Sequence, residues 1–195
     1  MTTEIFPVGH YTGVLPSAIG APNHIVRVGR TQHRLTEADL GSWMLAHGPA
    51  GAIGAPWTLR PLLDEAAELG MDGVHDRLAE LADRGLVVGI DPADGQVSDV
   101  VRAYRLSALM IGLGEVPEEP GRHRIGVPEV GVVAVLDPDS YELWRWAATA
   151  PTLWASCELR SAVAGRPDPR TTVGGVLRDL RTVIAHGCGY LDVVR

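Results

Sequence analysis

Histidine and cysteine, the residues that most often hold metals or perform catalysis, are scattered through this 195-residue chain. The seven histidines occur singly, without His-Glu-x-x-His spacing, and Cys157 and Cys188 do not form a Cys-x-x-Cys pair. The sequence also has no phosphate-binding glycine loop with a lysine and no Gly-x-Ser-x-Gly nucleophile turn. We therefore expect a protein that is not an enzyme and that uses no cofactor.

The nearest approach to a metal-binding pair is the segment AHGCG (185–189), where His186 and Cys188 stand two residues apart. A zinc site needs further ligands, which His47 or Cys157 would have to supply through the fold. The segment AHG recurs at 46–48, which favours a helix end closed by glycine, with histidine at the negative end of the helix dipole. We expect no metal site.

Arginine is the candidate residue type for recognition of a partner, although the absence of lysine from the chain indicates the codon bias of a GC-rich genome rather than a functional choice. The guanidinium group donates two parallel hydrogen bonds to a carboxylate, which suits an acidic peptide. A helix predicted after Asp168 would expose four polar residues near its start and along one face: Arg170, Thr171, Arg178 and Arg181. These are the predicted peptide- or partner-binding residues; a solvated helix face is the alternative interpretation.

Three of the five tryptophans lie between residues 144 and 154. The first of these, Trp144, and Trp43 in the first half belong to an internal repeat. LTEADLGSW (35–43) and LDPDSYELW (136–144) share an opening leucine, an acidic helix start and a closing tryptophan at the same spacing. The alignment places Trp144 with Trp43, as core residues. It also places Trp146 with Leu45, which predicts that both lie at an interdomain or dimer contact. The alternative for Trp146 is a ligand site.

Helix signals recur in both halves of the chain. Thr36 with Asp39 resembles a capping box, and Asp137 followed by Pro138 marks the corresponding start in the second half. The next helices open at Thr58 and Thr152, and the third helices end before Gly85 and Gly187. Three helices are therefore predicted in each half.

Strand-like segments flank these helices. NHIVRVG and HRIGVPEVGVVAVL precede the first helices, LVVGI and VSDVVRAYRLSALMI after Gly85 predict a hairpin, and YLDVVR ends the chain. These features predict an α+β fold of two tandem winged-helix-like units, each with three helices and a small antiparallel sheet. The units span residues 1–111, including an N-terminal extension, and 122–195, and the linker GLGEVPEEPG spans 112–121. An unrelated α+β domain is the alternative.

The second half resembles the winged-helix-type precursor-peptide recognition elements of ribosomal peptide biosynthesis, which include the small peptide chaperone of the pyrroloquinoline quinone pathway. The resemblance covers about residues 122–195 and, more loosely, 24–110. It depends on Leu136, Trp144, Thr152, Leu153, Leu177 and Leu180. It implies a non-catalytic adaptor in which an extended peptide adds to a sheet edge, beside a groove against the third helix.

Charge weighs against the main alternative, a winged-helix transcriptional regulator. The formal net charge is −7, and the predicted third helix of the first half carries four carboxylates, Asp72, Asp76, Glu80 and Asp83, which would repel DNA phosphates. A protein-binding subunit like the adaptors of chromosome condensation is a third alternative.

No apolar run approaches the ~20 residues of a membrane span, and MTTEIFPVGH does not resemble a secretion signal. We expect a cytoplasmic protein, and a homodimer is left open.

Overall fold

A computed structural model of the chain describes residues 3–16, 21–51 and 55–194. Those residues form a mixed α+β fold, the predicted class. In the first half, strands β1 (Glu4–Pro7), β2 (His10–Leu15), β3 (Asn23–Val28) and β4 (Thr31–Leu35) precede helices α1 (Glu37–Leu45), α2 (Leu59–Glu68) and α3 (Val74–Asp83), and strand β5 (Val87–Ile90) follows.

Helix α4 (Val97–Ala103) connects this part to a second series of elements in the same order. It consists of strands β6 (Tyr104–Ala108), β7 (Ile111–Val116), β8 (Glu119–Val127) and β9 (Gly131–Leu136), helices α5 (Pro138–Trp146), α6 (Leu153–Val163) and α7 (Val173–Ala185), and strand β10 (Gly189–Val193). A short 3₁₀ turn, Pro169–Thr172, leads into α7.

The strands of the described residues form four small antiparallel sheets. In the first half β1 pairs with β5 and the order β2-β3-β4 makes a three-stranded sheet; in the second half β6 pairs with β10 and β7-β8-β9 makes the matching sheet. Each half is therefore one strand, a three-stranded sheet, three helices and a closing strand that returns to the first.

Hydrogen bonds and bulges repeat with this plan. The Trp43 indole donates to the carbonyl of Val8 and the Trp144 indole to that of Leu109, each at 3.2 Å and across 35 residues of chain. The first strand pair of each three-stranded sheet has a register shift at a glycine with positive φ, Gly13 and Gly114. Trp43 and Trp144 are both buried, as the alignment of the two segments predicts.

The helix ends follow the local sequence signals. Thr36 and Asp39 form the predicted capping box, and Asp137 and Thr152 accept hydrogen bonds from the backbone amides of Ser140 and Ala155. Thr58 occupies the predicted N-cap position of α2, but its side chain makes no capping hydrogen bond with the described residues. Gly85 and Gly187 follow α3 and α7 with φ near +70°, a conformation that glycine adopts without strain.

The predicted hairpin after α3 does not form. Between β5 and β6 lies helix α4, because Val97 and Val101 stand one helical turn apart and both enter the core. The two strands instead pair with β1 and β10, far away along the chain. The N-terminal extension is likewise part of the fold, since it supplies β1 and β2.

The predicted linker, residues 112–121, lies within β7, the turn after it and β8. Its glycines meet the needs of a sheet: Gly114 occupies the bulge with φ +92°, and a side chain at Gly112 would press against the Tyr141 hydroxyl. The second series of elements begins at β6, upstream of residue 122, because β6 is the partner of β10.

One continuous apolar cluster runs through both halves, from Phe6 and Trp43 to Trp144 and Leu191. The two series of elements therefore share a core. In the described part of the chain, no helix has both the length and the apolar character needed to cross a membrane.

Candidate partner-binding site

Arg181, one of the predicted partner-binding residues, is a buried link between the halves. The residue is 5% exposed, and its guanidinium donates to the carbonyls of Ala46 (2.9 Å), His47 (3.1 Å) and Ile5 and lies 4.1 Å from the Phe6 ring centre. The prediction of an exposed Arg181 is wrong, because α7 is packed on nearly every side and this position faces the first half.

Burial also sets the charge state of the groups around this link. It lowers the pKa of Arg181 to about 10, which leaves the guanidinium charged at neutral pH, and the carboxylate of Glu4 acts in the opposite direction. Burial raises the pKa of Glu4 itself, an effect that Arg181 opposes. Arg181 and Glu4 therefore each stabilise the charged form of the other in the buried contact.

His47, beside this link, makes stability depend on pH. Burial lowers its pKa to about 4 from the usual 6.5, so between these values the unfolded chain binds the proton and the folded chain does not. Stability is therefore complete above pH 6.5 and falls as the pH falls towards 4. From pH 7 to 5 we expect the free energy of unfolding to drop by about 2 kcal/mol more in the natural protein than in His47→Gln. Urea unfolding at the two pH values measures this difference; equal drops would contradict it.

The other three predicted residues divide between a cleft and the open surface. Arg178 of α7 and Thr171 line a cleft of about 740 Å³ among α5, α6 and α7. Arg170 is not among the residues that line it; its side chain is exposed and lies 4.0 Å from the carboxylate of Asp168. The structure therefore brings together two of the four predicted residues.

Arginine dominates this cleft, which we call the α5–α7 cleft. It is lined by four arginines, Arg145, Arg160, Arg166 and Arg178, and by two carboxylates, Asp139 and Glu142. Only Arg178 of these was singled out from the sequence, because the others are contributed by α5, by α6 and by the loop that follows it.

Two of these arginines are already paired. Arg145 lies 2.5 Å from Glu142, and Arg160 lies 2.5 Å from Asp179, which is 4% exposed. Burial raises the pKa of Asp179 to about 6, although the Arg160 guanidinium lowers it. Arg166 is exposed, and Arg178 is exposed too and lies 3.9 Å from Asp179. These last two are the cations that the cleft offers most openly to an incoming carboxylate.

Trp146 also lines the α5–α7 cleft, where it is half-buried and stands apart from the shared core. All of its neighbours in the cleft belong to the second half, so the cleft gives no support to an interdomain contact, and the dimer contact predicted for Trp146 stays a prediction. Leu45 is half-buried against the core, and the contact between the halves forms at the next two residues, whose carbonyls bind Arg181.

Strand β9, at the edge of the second three-stranded sheet, presents an apolar surface. Among residues 3–16, 21–51 and 55–194 it pairs with β8 alone, on one side. Val132 and Val133 are 49% and 48% exposed although they are adjacent, and Val130 in the preceding turn is 80% exposed. A bulge places Val132 and Val133 together opposite Gly126, so neither enters the core and the outer part of this edge is apolar and open. From the described part of the chain, one side-chain hydrogen bond reaches β9, donated by Arg122 to the carbonyl of Val135 at its inner end.

The corresponding edge in the first half is protected. In the register of the repeat, β4 carries Thr31, Gln32 and Arg34 where β9 carries Val132, Val133 and Val135. The carbonyl of Arg34 accepts a hydrogen bond from Arg84 at 2.7 Å, and the aligned carbonyl of Val135 accepts one from Arg122 at 3.3 Å, so the two edges differ in their side chains rather than in this bond. Charged side chains are a common means of preventing a free sheet edge from pairing with another chain. β4 has this protection and β9 does not.

The outer valines were missed in the sequence because GVVAVL has the composition of a buried strand. A bulge shifts the register between Ile125 and Gly126, so Ala134 and Leu136 enter the core and the residues before them do not. Two adjacent valines next to a hairpin turn indicate an exposed surface only once the strand is known to lie at the edge of its sheet.

The two cysteines show no sign of reactive chemistry. Both are free and buried, and burial raises the pKa of each thiol to about 11, so they are protonated at neutral pH. Across residues 3–16, 21–51 and 55–194 no group of three or more histidine, cysteine, aspartate or glutamate side chains is arranged to hold a metal ion.

Comparison of the chain with protein-family models, with curated protein sequences and with solved structures gives no match.

Proposed function

We propose that the protein is a non-catalytic adaptor that binds an extended, acidic segment of a peptide or protein partner along β9. The observation that carries this proposal is the contrast between the two sheet edges. The same positions of the repeat carry exposed polar or charged side chains in β4, Gln32 and Arg34, and valines in β9, of which Val133 is half exposed. An unprotected edge is the surface to which an extended peptide adds as a further strand.

Affinity and selectivity come from different groups in this proposal. The backbone of β9 supplies main-chain hydrogen bonds, and the exposed Val132 and Val133 supply apolar contacts beside the added strand. The α5–α7 cleft begins close to the end of β9. Asp139, in the first turn of α5, lines the cleft, and its carbonyl accepts a hydrogen bond from Arg160 at 3.3 Å. Arg166 and Arg178 there bind acidic side chains beyond the paired segment, next to the apolar ring of Trp146.

Each half serves in this proposal as a winged-helix-like unit, with the hairpin of β8 and β9 as the projecting strand pair of the second. The order of a three-stranded sheet followed by three helices supports that assignment in both halves. The resemblance to precursor-peptide recognition elements makes a precursor peptide of a modification pathway the partner class that we favour.

Binding of duplex DNA, the alternative function, is not favoured by the geometry. A winged-helix regulator inserts its third helix into the major groove, which requires a free helix face. In α7, only Gly174 and Arg178 are fully exposed, and nine of its residues are buried. In the first half, α3 exposes Asp76, Glu80 and Asp83, which repel phosphates.

Binding of a fluorescein-labelled synthetic peptide of alternating valine and glutamate, followed by anisotropy, tests the proposal. We expect saturable binding that Val133→Asp weakens at least ~10-fold, because a carboxylate on the edge is desolvated and faces an acidic strand. The matched control is Val14→Asp on β2, since Val14 has the same 48% exposure on an edge strand of the first sheet. Val14→Asp should bind as the natural protein does.

Three outcomes would contradict the proposal: no binding of the peptide, equal loss in both variants, or stronger salt-sensitive binding to a DNA duplex. A dimer that Val133→Asp dissociates would show instead that a second copy of the chain occupies β9.

A further inference from the structure

A second cleft, of about 610 Å³, lies between the two halves of the chain. Its walls are Trp43, Met44 and His47 from α1 and its end, His10 from β2, Ile184 from α7, and Tyr190 from β10. A volume of this size falls within the range of pockets that hold small organic molecules. Ion-paired side chains line the α5–α7 cleft, whereas no aspartate, glutamate or arginine lines this one in the described part of the chain.

His47 gives this cleft, which His10, Tyr11 and Tyr190 also line, a polar group whose proton position is defined. Its Nδ1 lies 3.2 Å from the carbonyl of Trp43, and because a carbonyl can only accept, Nδ1 carries the proton. The ring is neutral at physiological pH, since burial lowers its pKa to about 4. Nε2 is therefore a bare acceptor, and it has no hydrogen-bond partner among residues 3–16, 21–51 and 55–194.

The surrounding contacts hold this acceptor in place. Trp43 meets the His47 ring edge to face, with 4.5 Å between ring centres, and its indole is fixed by the hydrogen bond to Val8. The backbone carbonyl of His47 accepts from Arg181. On the opposite wall, His10 stacks on Tyr190 at 4.9 Å. The ring of His47 is thus preorganised, which reduces the entropy lost on binding.

We infer that the cleft between the halves binds a small, uncharged and largely apolar molecule that donates one hydrogen bond to Nε2 of His47. An anion would find no cation on the walls, and a cation no carboxylate, so a charged ligand would lose its hydration without compensation. Met44, which is 59% exposed, forms part of the rim and would be covered by the ligand. This inference is independent of peptide binding at β9.

Fluorescence of N-phenyl-1-naphthylamine, a neutral apolar amine with a single N–H donor, tests the site on the full chain. We expect enhanced emission that saturates at one probe per chain. Met44→Glu should weaken binding at least ~10-fold, because it places a charge on the apolar rim. Leu69→Glu is the matched control, since Leu69 has the same 59% exposure and lies outside the cleft, and it should bind as the natural protein does.

His47→Phe tests the hydrogen bond separately from the apolar walls. It keeps an aromatic ring and removes the acceptor, so we expect affinity for the probe to fall about 5- to 10-fold with the fold retained by circular dichroism. The inference is overturned if the probe does not saturate, if Met44→Glu and Leu69→Glu bind alike, or if His47→Phe binds as tightly as the natural protein. It is also overturned if the chain is a dimer whose partner copy excludes the probe.

Discussion

Replacing Arg181 with alanine is expected to lower the free energy of unfolding by about 3–5 kcal/mol, a range typical of removing one partner of a buried charged pair. The change removes three hydrogen bonds to backbone carbonyls and leaves Glu4 buried without its nearby cation. It also removes the stacking of the guanidinium on Phe6. Urea unfolding measures the loss.

Arg178→Ala is the control for this experiment, because Arg178 lies on the same helix and is exposed. Its effect should stay within about 0.5 kcal/mol, as for most surface substitutions. Arg181→Lys should recover only part of the stability, since an ammonium cannot reach three carbonyls in the way that a planar guanidinium does. A cost below about 1 kcal/mol for Arg181→Ala would show that the link between the halves is not structural.

Trp144→Ala, the second large effect, is expected to lower the free energy of unfolding by about 3–5 kcal/mol, as for other buried aromatic residues replaced by alanine. The indole is 9% exposed and donates to the carbonyls of Leu109 (3.2 Å) and Cys188 (3.0 Å). Its loss leaves a cavity and removes the donor to Leu109, while the carbonyl of Cys188 keeps its bond from the Leu109 amide. Trp43→Ala should cost a similar amount, because Trp43 makes the corresponding bond to Val8.

Trp146→Ala separates the two tryptophans of the helix. Trp146 lines the α5–α7 cleft and stands apart from the core, so its removal should cost less than about 1 kcal/mol while weakening binding of the acidic peptide. Urea midpoints for Trp144→Ala and Trp146→Ala give the comparison. Equal losses of stability would contradict the assignment of Trp144 to the core and Trp146 to a surface.

Local signals in the sequence predicted the helices well. The caps at Thr36, Asp137 and Thr152 and the glycines after α3 and α7 act within one turn of chain, so their effect can be recognised without knowledge of the rest of the fold. The repeated tryptophans predicted their own burial for the same reason.

Strand pairing could not be predicted in this way. Whether β5 pairs with β6 or with β1 depends on how the shared core packs. The residues of β5 and β6 alone do not indicate which partner each strand takes. The glycines of 112–121 were interpreted as a linker because bulges and close packing require the same residue type as flexible chain.

The sequence predicts only part of the candidate site, because packing between distant segments decides the rest. A helix face exposed in isolation predicted Arg170, Thr171, Arg178 and Arg181 together, whereas packing buries Arg181 and leaves Arg170 apart from the cleft. Arg145, Arg160 and Arg166 join Arg178 only in three dimensions. Val132 and Val133 become a candidate surface through their position on an open edge, which depends on where the sheet ends.

Amide hydrogen exchange in the presence of the valine–glutamate peptide tests the central claim most directly. If an extended segment adds to β9, the amides of Gly131–Val133 exchange more slowly once the peptide is bound, because outward-facing amides gain a hydrogen-bond partner. The amides of β4 should exchange at unchanged rates and serve as the internal control. Slower exchange confined to β4, to α7 or to the cleft between the halves, with β9 unaffected, would contradict the proposal that the protein binds its partner at this edge.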